Sequence, residues 1–296
     1  MRVLVTGATG FVGSNLVPSL LDTGHDVVAM TRDADRYDPP DGVEVVEGDL
    51  LEAETLAGAF DGVDAAYYLV HSLQTGGDFE ERDRTAATNF SAAASSAGVD
   101  RVIYLGGLGE TGDDLSPHLR SRQEVEELLG RGSYELTTLR AAIIVGAGSI
   151  SFQMVRQLVS KLPVMIAPRW VYTECQPIAI DDVVSYLVGV LDEPETAGGT
   201  YEIGGPEVLT YKEMLVRTGE AMDKRPLVVP VPVLSPKLSS YWVDLVTDVP
   251  RSISHPLILG LKNPVVVTDE TIDQYVPVER TPFGDAVERA LAEAEA

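Results

Sequence analysis

Cysteine occurs once in 296 residues, at Cys175. A single thiol excludes an intrachain disulfide and a cysteine-based metal cluster. Lysine is nearly as scarce: Lys161, Lys212, Lys224, Lys237 and Lys262 are the lysines among 22 basic side chains, and the rest are arginine. Aromatic residues make up 6 % of the chain, and no uninterrupted apolar run approaches the ~18 residues of a membrane-spanning helix. His25, His71, His118 and His255 are scattered without metal-ligand spacing, so no metal is expected. The chain opens on the strand-like Arg2-Val3-Leu4-Val5-Thr6, which leaves no room for a signal peptide. A soluble, cytoplasmic protein is expected.

Acid is what the chain has in excess: 46 acidic against 22 basic side chains give a formal charge of −24. Such a field opposes nucleic acid phosphates and anionic lipid surfaces, so neither is an expected partner. Hydrophobic residues at 45 % suffice for a sizeable core and exclude disorder as the main state. Acid excess with scarce lysine resembles halophilic proteins, which work where the Debye length is roughly 3 Å and surface carboxylates hardly repel one another. The unfolding midpoint is therefore expected to rise between low and molar salt. A denaturant titration at both salt levels checks this, and a level midpoint removes the adaptation.

Along the first two thirds, short apolar runs alternate with helical stretches, the pattern of a parallel sheet wound with helices. Strands are expected over 2–6, 26–30, 43–46, 64–70, 101–105, 136–145 and near 177–180. Helices are expected over 11–22, 52–60, 79–97, 117–129, 152–161, 181–191 and 283–294. The proline-rich stretches 228–236 and 250–264 read as turns. The fold class is α/β, a Rossmann-type doubly wound parallel sheet over about 1–205. A smaller C-terminal region, 206–296, is expected to cover the substrate.

The sharpest motif, Thr6-Gly7-Ala8-Thr9-Gly10-Phe11-Val12-Gly13, lies between the first strand and the first helix. Gly7 permits a tight turn, Gly10 lets backbone amides approach a pyrophosphate, and Gly13 lets the helix pack closely on the sheet. The helix N-terminus then faces the anion, so Gly7, Thr9, Gly10, Phe11, Val12 and Gly13 are the expected phosphate cradle of a dinucleotide.

This glycine spacing resembles the extended and atypical branches of the short-chain dehydrogenase/reductase superfamily, and further residues extend the resemblance over nearly the whole chain. Gly48-Asp49-Leu50 resembles that family's adenine-contacting turn, which implies adenine contacts for Asp49 and Leu50. Asn89 and Arg101-Val102-Ile103-Tyr104-Leu105 are similar to its fourth helix and fifth strand; Leu139-Arg140 and Tyr201-Glu202-Ile203-Gly204-Gly205 are similar to its late signatures. The stretch Tyr68-Leu69-Val70-His71-Ser72-Leu73 and the overall layout resemble the NmrA-like proteins and the NAD(P)H-binding accessory subunit of respiratory complex I.

The second strand leaves through Met30-Thr31-Arg32, with Asp33 one step later. An acidic residue there bonds the ribose 2′-hydroxyl of NAD, whereas an arginine accommodates the 2′-phosphate of NADP. The planar fork of Arg32 and the hydroxyl of Thr31 make NADP(H) the expected cofactor over NAD(H). The alternative for Arg32 is a solvated surface side chain. Because the net charge opposes a polyanionic ligand, its binding is expected to strengthen as salt screens the carboxylates.

Standard members of the superfamily use a serine and a Tyr-x-x-x-Lys. Here the serine position falls in Leu105-Gly106-Gly107-Leu108-Gly109, without a hydroxyl, and His118 and Arg122 best match the tyrosine and lysine positions. Two readings stand. Either His118, in the first turn of its helix, donates the proton and Arg122 bonds the cofactor ribose, or His118 is a polar helix start and Arg122 faces Glu126. Val70 and His71, at the end of the fourth strand, fall where open α/β sheets place their ligand crevice. Arg140 is expected either to face substrate or to pair with a buried acid. Trp170 and Tyr172, with Tyr241-Trp242, form either an apolar substrate wall or core.

Two functions are carried forward. One is an NADP-dependent oxidoreductase of the atypical short-chain class, acting on a small apolar carbonyl or quinone. The other is a non-catalytic NAD(P)H-binding redox sensor or accessory subunit of a complex, with a protein partner or a homo-oligomer implied. Sugar-nucleotide epimerisation needs the absent tyrosine.

Overall fold

Strand β1 (Arg2–Thr6) sends Val3 and Val5 into one core and Leu4 into another. A strand apolar on both faces is stable only when both are covered, and helices connecting parallel strands supply the cover. The computed structural model describes residues 1–72, 79–109, 117–231 and 248–295, leaving out the side chains of Pro117, His118, Arg251, Ser252, His255, Pro256 and Leu259. After β1 follow α1 (Phe11–Asp22), β2 (Asp26–Thr31), β3 (Glu44–Glu47), β4 (Ala65–Tyr68), α2 (Phe79–Ala97), β5 (Arg101–Gly107), α3 (Pro117–Leu129) and β6 (Glu135–Ala141). Next come β7 (Ile144–Val145), α4 (Ile150–Lys161), β8 (Val164–Ala167), β9 (Glu174–Cys175), β10 (Ile178–Ala179) and α5 (Ile180–Asp192). The chain closes with β11 (Thr200–Ile203), β12 (Leu209–Thr210), α6 (Tyr211–Ala221), β13 (Leu227–Pro230), α7 (Arg251–Gly260) and α8 (Phe283–Glu295).

The central sheet has seven strands in the order β11-β6-β5-β4-β1-β2-β3, every pair parallel. The order runs outward from β1 to β3, then returns to the other side of β1 with β4. That reversal is the topological switch point, at the carboxyl ends of β1 and β4, where open α/β sheets form their ligand crevice. The doubly wound α/β fold expected from the sequence is the fold observed. One face is covered by α1 and α5, the other by α2 and α3. The alanines of α2 let it lie close, and its Phe90 meets Tyr68 and Phe60 edge-on, with ring centroids 5.0 and 5.3 Å away.

A third core joins Val145, Phe152, Val159 and Cys175 to Tyr211, Met214, Phe283 and Val287. It draws on residues from both sides of the 205/206 position. A fourth, smaller cluster brings Phe79 of α2 and Met154 of α4 against Val249, Ile253 and Ile258 at α7. No helix among the described residues is long and apolar enough to cross a membrane.

Four expectations are corrected. The stretch 228–236, read as turns, begins in β13 (Leu227–Pro230), which pairs in parallel with β8. Residues 52–60 form no helix but the short 3-10 turn Ala53–Leu56, because Gly58 takes φ +84° and Thr55 bonds back to the Asp49 and Glu52 carbonyls. The expected strand 136–145 is split into β6 and β7, the latter leaving the main sheet to pair with β10. The turn-rich 250–264 contains α7: Pro250 precedes its first turn, where a missing N–H costs nothing, and Ile253, Leu257 and Ile258 give it an apolar stripe.

Candidate functional site

Gly7 takes φ +73°, which only glycine adopts readily, and its carbonyl accepts the Gly10 N–H at 2.9 Å to close the turn. A Cβ on Gly13 would lie 2.3 Å from the Gly7 oxygen and 2.7 Å from the Ala8 Cα, so α1 rests directly on the turn. A Cβ on Gly7 would lie 3.0 Å from the Leu69 carbonyl. The turn therefore abuts the backbone leaving β4, as the switch point requires. Thr9 and Gly10 are exposed; Gly10 caps α1 without a side-chain hydrogen bond, and no acidic residue stands in the first turn. Amides at Phe11 and Val12 thus face outward at the positive end of a helix, a donor set that fits a pyrophosphate. The Phe11 ring itself turns away, packing against Gly146 and Gly148.

At the other lip, the Thr31 carbonyl accepts the Gly48 N–H (2.9 Å), tying the exit of β2 to that of β3. Arg32 is exposed and has no ion-pair partner among the described residues, whereas Asp33 is engaged by Arg36 (3.1 Å). Asp49 accepts the Leu51 N–H (2.9 Å), and the Leu50 carbonyl accepts Asn89 Nδ2 (2.8 Å) from α2. These bonds fix the Asp49–Leu50 turn beside the crevice.

Past Val70, the chain leaving β4 meets a carboxylate that sequence reasoning did not single out. Asp83 of α2 is 1 % exposed. It accepts His71 Nδ1–H (2.8 Å), the Ser72 N–H (2.7 Å) and the Ser121 hydroxyl of α3 (3.0 Å). Burial pushes its pKa up, but the His71 and Ser72 bonds outweigh that and hold it down at about 2. For His71, burial and the Arg122 charge lower the pKa against the pull of Asp83, and the net direction is down. The ring is therefore neutral at pH 7 with its proton on Nδ1, directed at the carboxylate. The missed signal is periodic: in Phe79-Glu80-Glu81-Arg82-Asp83-Arg84 the aspartate looks solvated, yet it shares a helical stripe with Phe79, Ala86, Ala87 and Phe90. Ser121 was hidden similarly, beside the more conspicuous Arg122.

Arg122 lies next to this pair, with Nη1 3.4 Å from the Leu105 carbonyl and Nε buried with no hydrogen-bond partner among the described residues. Tyr104 is fully buried and donates to the Arg122 carbonyl (3.2 Å), so it does not face the crevice. Glu126 pairs not with Arg122 but with Arg140, bidentately at 2.7 and 3.1 Å. His118 stands in the first turn of α3; its side chain lies outside the described residues, as do Tyr241 and Trp242. Trp170 packs on the third core with its ring 6.1 Å edge-on to Tyr211, and Tyr172 is exposed beneath Lys212 Nζ at 5.6 Å. Cys175 is buried, which pushes its thiol up to about 12 and leaves it inert. The Phe79 ring, 6.5 Å from that of His71, links the polar pair to the apolar fourth cluster.

The sequence model of a family described as NAD(P)H-binding matches residues 7–156, just over half of the chain. A 3 beta-hydroxysteroid dehydrogenase/Delta 5-4-isomerase from Mycobacterium tuberculosis is 37 % identical over 113 residues, 35 % of this chain and 30 % of that protein. The chain thus spans under a third of that relative's length. The mitochondrial NADH dehydrogenase (ubiquinone) 1 alpha subcomplex subunit 9 of Arabidopsis thaliana is 25 % identical over 283 residues, 90 % of this chain and 70 % of that protein. Among solved structures, a nucleoside-diphosphate-sugar epimerase from Staphylococcus aureus superposes with a TM-score of 0.76 at 17 % identity, covering 97 % of this chain and 100 % of that one. At that identity the likeness is one of fold.

Proposed function

The chain belongs to the NAD(P)H-binding family, and from that premise we propose that it is an NADP-dependent oxidoreductase of the atypical short-chain class, acting on a small apolar carbonyl or quinone. The observation that carries this reading is the meeting, at one switch point, of an open phosphate turn and a polar cluster of titratable side chains. In this reading the amides at Gly10 to Val12 hold the pyrophosphate, Thr31 and Arg32 the 2′-phosphate, and Asp49 and Leu50 the adenine. Val70 and His71 line the nicotinamide end, and Arg122 bonds the ribose. The bound cofactor supplies or accepts a hydride. A histidine at the carboxyl edge, His118 or His71, exchanges the proton, since arginine stays charged and Tyr104 is turned inward. The apolar cluster beside His71, built on Phe79, Met154 and Ile253, supports an apolar substrate. Trp170 and Tyr172 extend that wall in the proposal, with Arg140 at its edge, neutralised by Glu126.

Arg32→Ala tests the cofactor. A charge-assisted bond to phosphate contributes about 1.5–3 kcal/mol, so NADPH affinity is expected to fall roughly 10- to 100-fold while NADH affinity hardly moves. Equal losses, measured by fluorescence titration, sink the NADP assignment. Turnover is tested by NADPH oxidation, followed by absorbance, against quinones and aldehydes in high salt. Tight binding without turnover on any of them favours the second reading, a non-catalytic NAD(P)H-binding subunit or sensor. The missing Ser-Tyr-Lys set and the accessory-subunit relative, similar over 90 % of this chain, support that second reading.

A further inference from the structure

The small sheet of β8 and β13 is parallel and two-stranded, with Leu227 opposite Val164 and Val229 opposite Ile166. Its inner face sends Met165 and Val228 into the third core. Its outer face sets Val164, Ile166, Leu227 and Val229 in a two-by-two block, each 38–58 % exposed, with Pro163 and Pro230 exposed at its margins. Parallel strands are found almost solely where both faces are covered. Outside this block, the exposed large apolar side chains among the described residues are Met1, Tyr172 and Val208. A contiguous aliphatic block on so acidic a protein marks an interaction face.

Charge decides what this face fits. Acidic residues number 46 in 296, yet the stretch 136–173, which contains β8, has none and carries Arg140, Arg156, Lys161 and Arg169. Residues 224–231, which contain β13, have none either and begin with Lys224 and Arg225. Because the strands are parallel, Lys161, Lys224 and Arg225 stand at their shared amino end, where Lys224 Nζ donates to the Ser160 carbonyl (2.9 Å). Arg169 stands at the carboxyl end. Lys161 is offset by Asp248 (3.1 Å) and Asp223 adjoins Lys224, so the exposed Arg169 and Arg225 hold the uncompensated charge. A second copy matches this face poorly. Face to face, the arginines of the two copies share one interface, and the remaining surface of a chain at −24 offers mainly acid to the aliphatic block.

We propose that the outer face of the β8–β13 sheet docks reversibly on an anionic lipid bilayer. Val164, Ile166, Leu227 and Val229 enter the boundary of the acyl chains, and Arg169 and Arg225 bond the lipid phosphates. The long arginine stems let the charged heads stay at phosphate level while the aliphatic block goes deeper. The net charge of −24 opposes such a surface at long range. In ~0.15 M salt, however, the Debye length is roughly 8 Å, so the bilayer meets the charges of the acid-poor face and not the distant carboxylates. Docking stands independently of the oxidoreductase reading. Where that reading holds, α4 connects the two sites: Met154 belongs to the fourth cluster, and Lys161 ends the helix about 10 Å further along its axis. The docked face then lies close to the wall proposed for an apolar substrate.

The test sediments the full chain with vesicles of phosphatidylcholine, alone or with one third phosphatidylglycerol. In ~0.15 M salt the mixed vesicles are expected to bind it with a partition coefficient on the order of 10⁴ M⁻¹, and phosphatidylcholine alone about tenfold more weakly. In ~1 M salt the two converge while binding persists, because the aliphatic contribution is not screened. Ile166→Gln with Leu227→Gln should weaken binding about tenfold or more at both salt levels. Arg169→Gln with Arg225→Gln should weaken it about tenfold on mixed vesicles in low salt and hardly in molar salt. These side chains are exposed, so NADPH affinity, which reports folding, should stay within about twofold in each variant. Cys175 is buried and inert, so a thiol-reactive fluorophore can be placed at Val229→Cys, where brominated lipid should quench it. At Asp41→Cys, exposed ahead of β3, it should not. Binding that the glutamine pairs leave intact, or a probe at position 229 that brominated lipid leaves bright, overturns the proposal. A chain that ignores both kinds of vesicle overturns it as well. If that chain also forms a dimer that Ile166→Gln with Leu227→Gln disperses, the face belongs to a second copy.

Discussion

Alanine at Asp83 is expected to destabilise the protein by about 3–5 kcal/mol, because it strands the His71 ring, the Ser72 amide and the Ser121 hydroxyl around an apolar void. For a chain of this size that corresponds to a fall in Tm of roughly 10 °C, measured by thermal unfolding. A cost under about 1 kcal/mol shows that water takes over the three donors and that the carboxylate organises nothing. The same group carries a pH signature. Its pKa is held at about 2 against an ordinary 3.8, so folding favours the ionised form. The stabilisation, about 2 kcal/mol, is complete above pH 4 and lost as pH falls from there toward 2. Urea unfolding of the wild type and Asp83→Asn across that range isolates it: the difference in stability between them should shrink as the acid is reached.

Gly13→Ala is expected to lose NADPH binding by more than about tenfold and to cost about 1–3 kcal/mol in stability. The added methyl meets the Gly7 oxygen at 2.3 Å and the Ala8 Cα at 2.7 Å, both backbone, so neither retreats by a rotamer change. Helix α1 must lift from the turn, and the amides at Phe11 and Val12 move with it. The turn cannot yield the other way, because Gly7 already lies against Leu69. Titration of NADPH fluorescence checks the first effect and urea unfolding the second. Gly24→Ala serves as the contrast. It has open space around it, so its cost comes from a φ of +84° alone and leaves cofactor affinity intact.

The halves of the crevice differed in how readable they were. Gly7, Gly10 and Gly13 announce themselves because a glycine's reason for being there is local: a positive φ, or a methyl-sized gap between neighbours in sequence. Arg32 can be singled out locally as well, one step beyond a strand whose apolar run ends at Met30, as the proposed 2′-phosphate contact. The alternation of short apolar runs with helical stretches carried the order of elements. Reading failed where the outcome depended on distant partners. Residues 52–60 have helical composition, but Thr55 finds Asp49 and Gly58 turns left-handed. Conversely, 250–264 has the prolines of a loop, yet an apolar stripe meeting Phe79 and Met154 stabilises a helix there.

The sequence alone determined a doubly wound sheet with a glycine turn at its switch point, since each depends on residues adjacent in the chain or on a simple period. Tertiary structure decided the polar end of the site. Whether Asp83 is a solvated surface charge or a buried, ionised anchor depends on the donors placed around it, and those come from the β4 exit and α3, 11 and 38 residues away. An ionisable group has no fixed chemistry of its own at the level of sequence. Its charge state, and the tautomer it imposes on His71, are set by desolvation and by hydrogen bonds that exist only after the helices have packed.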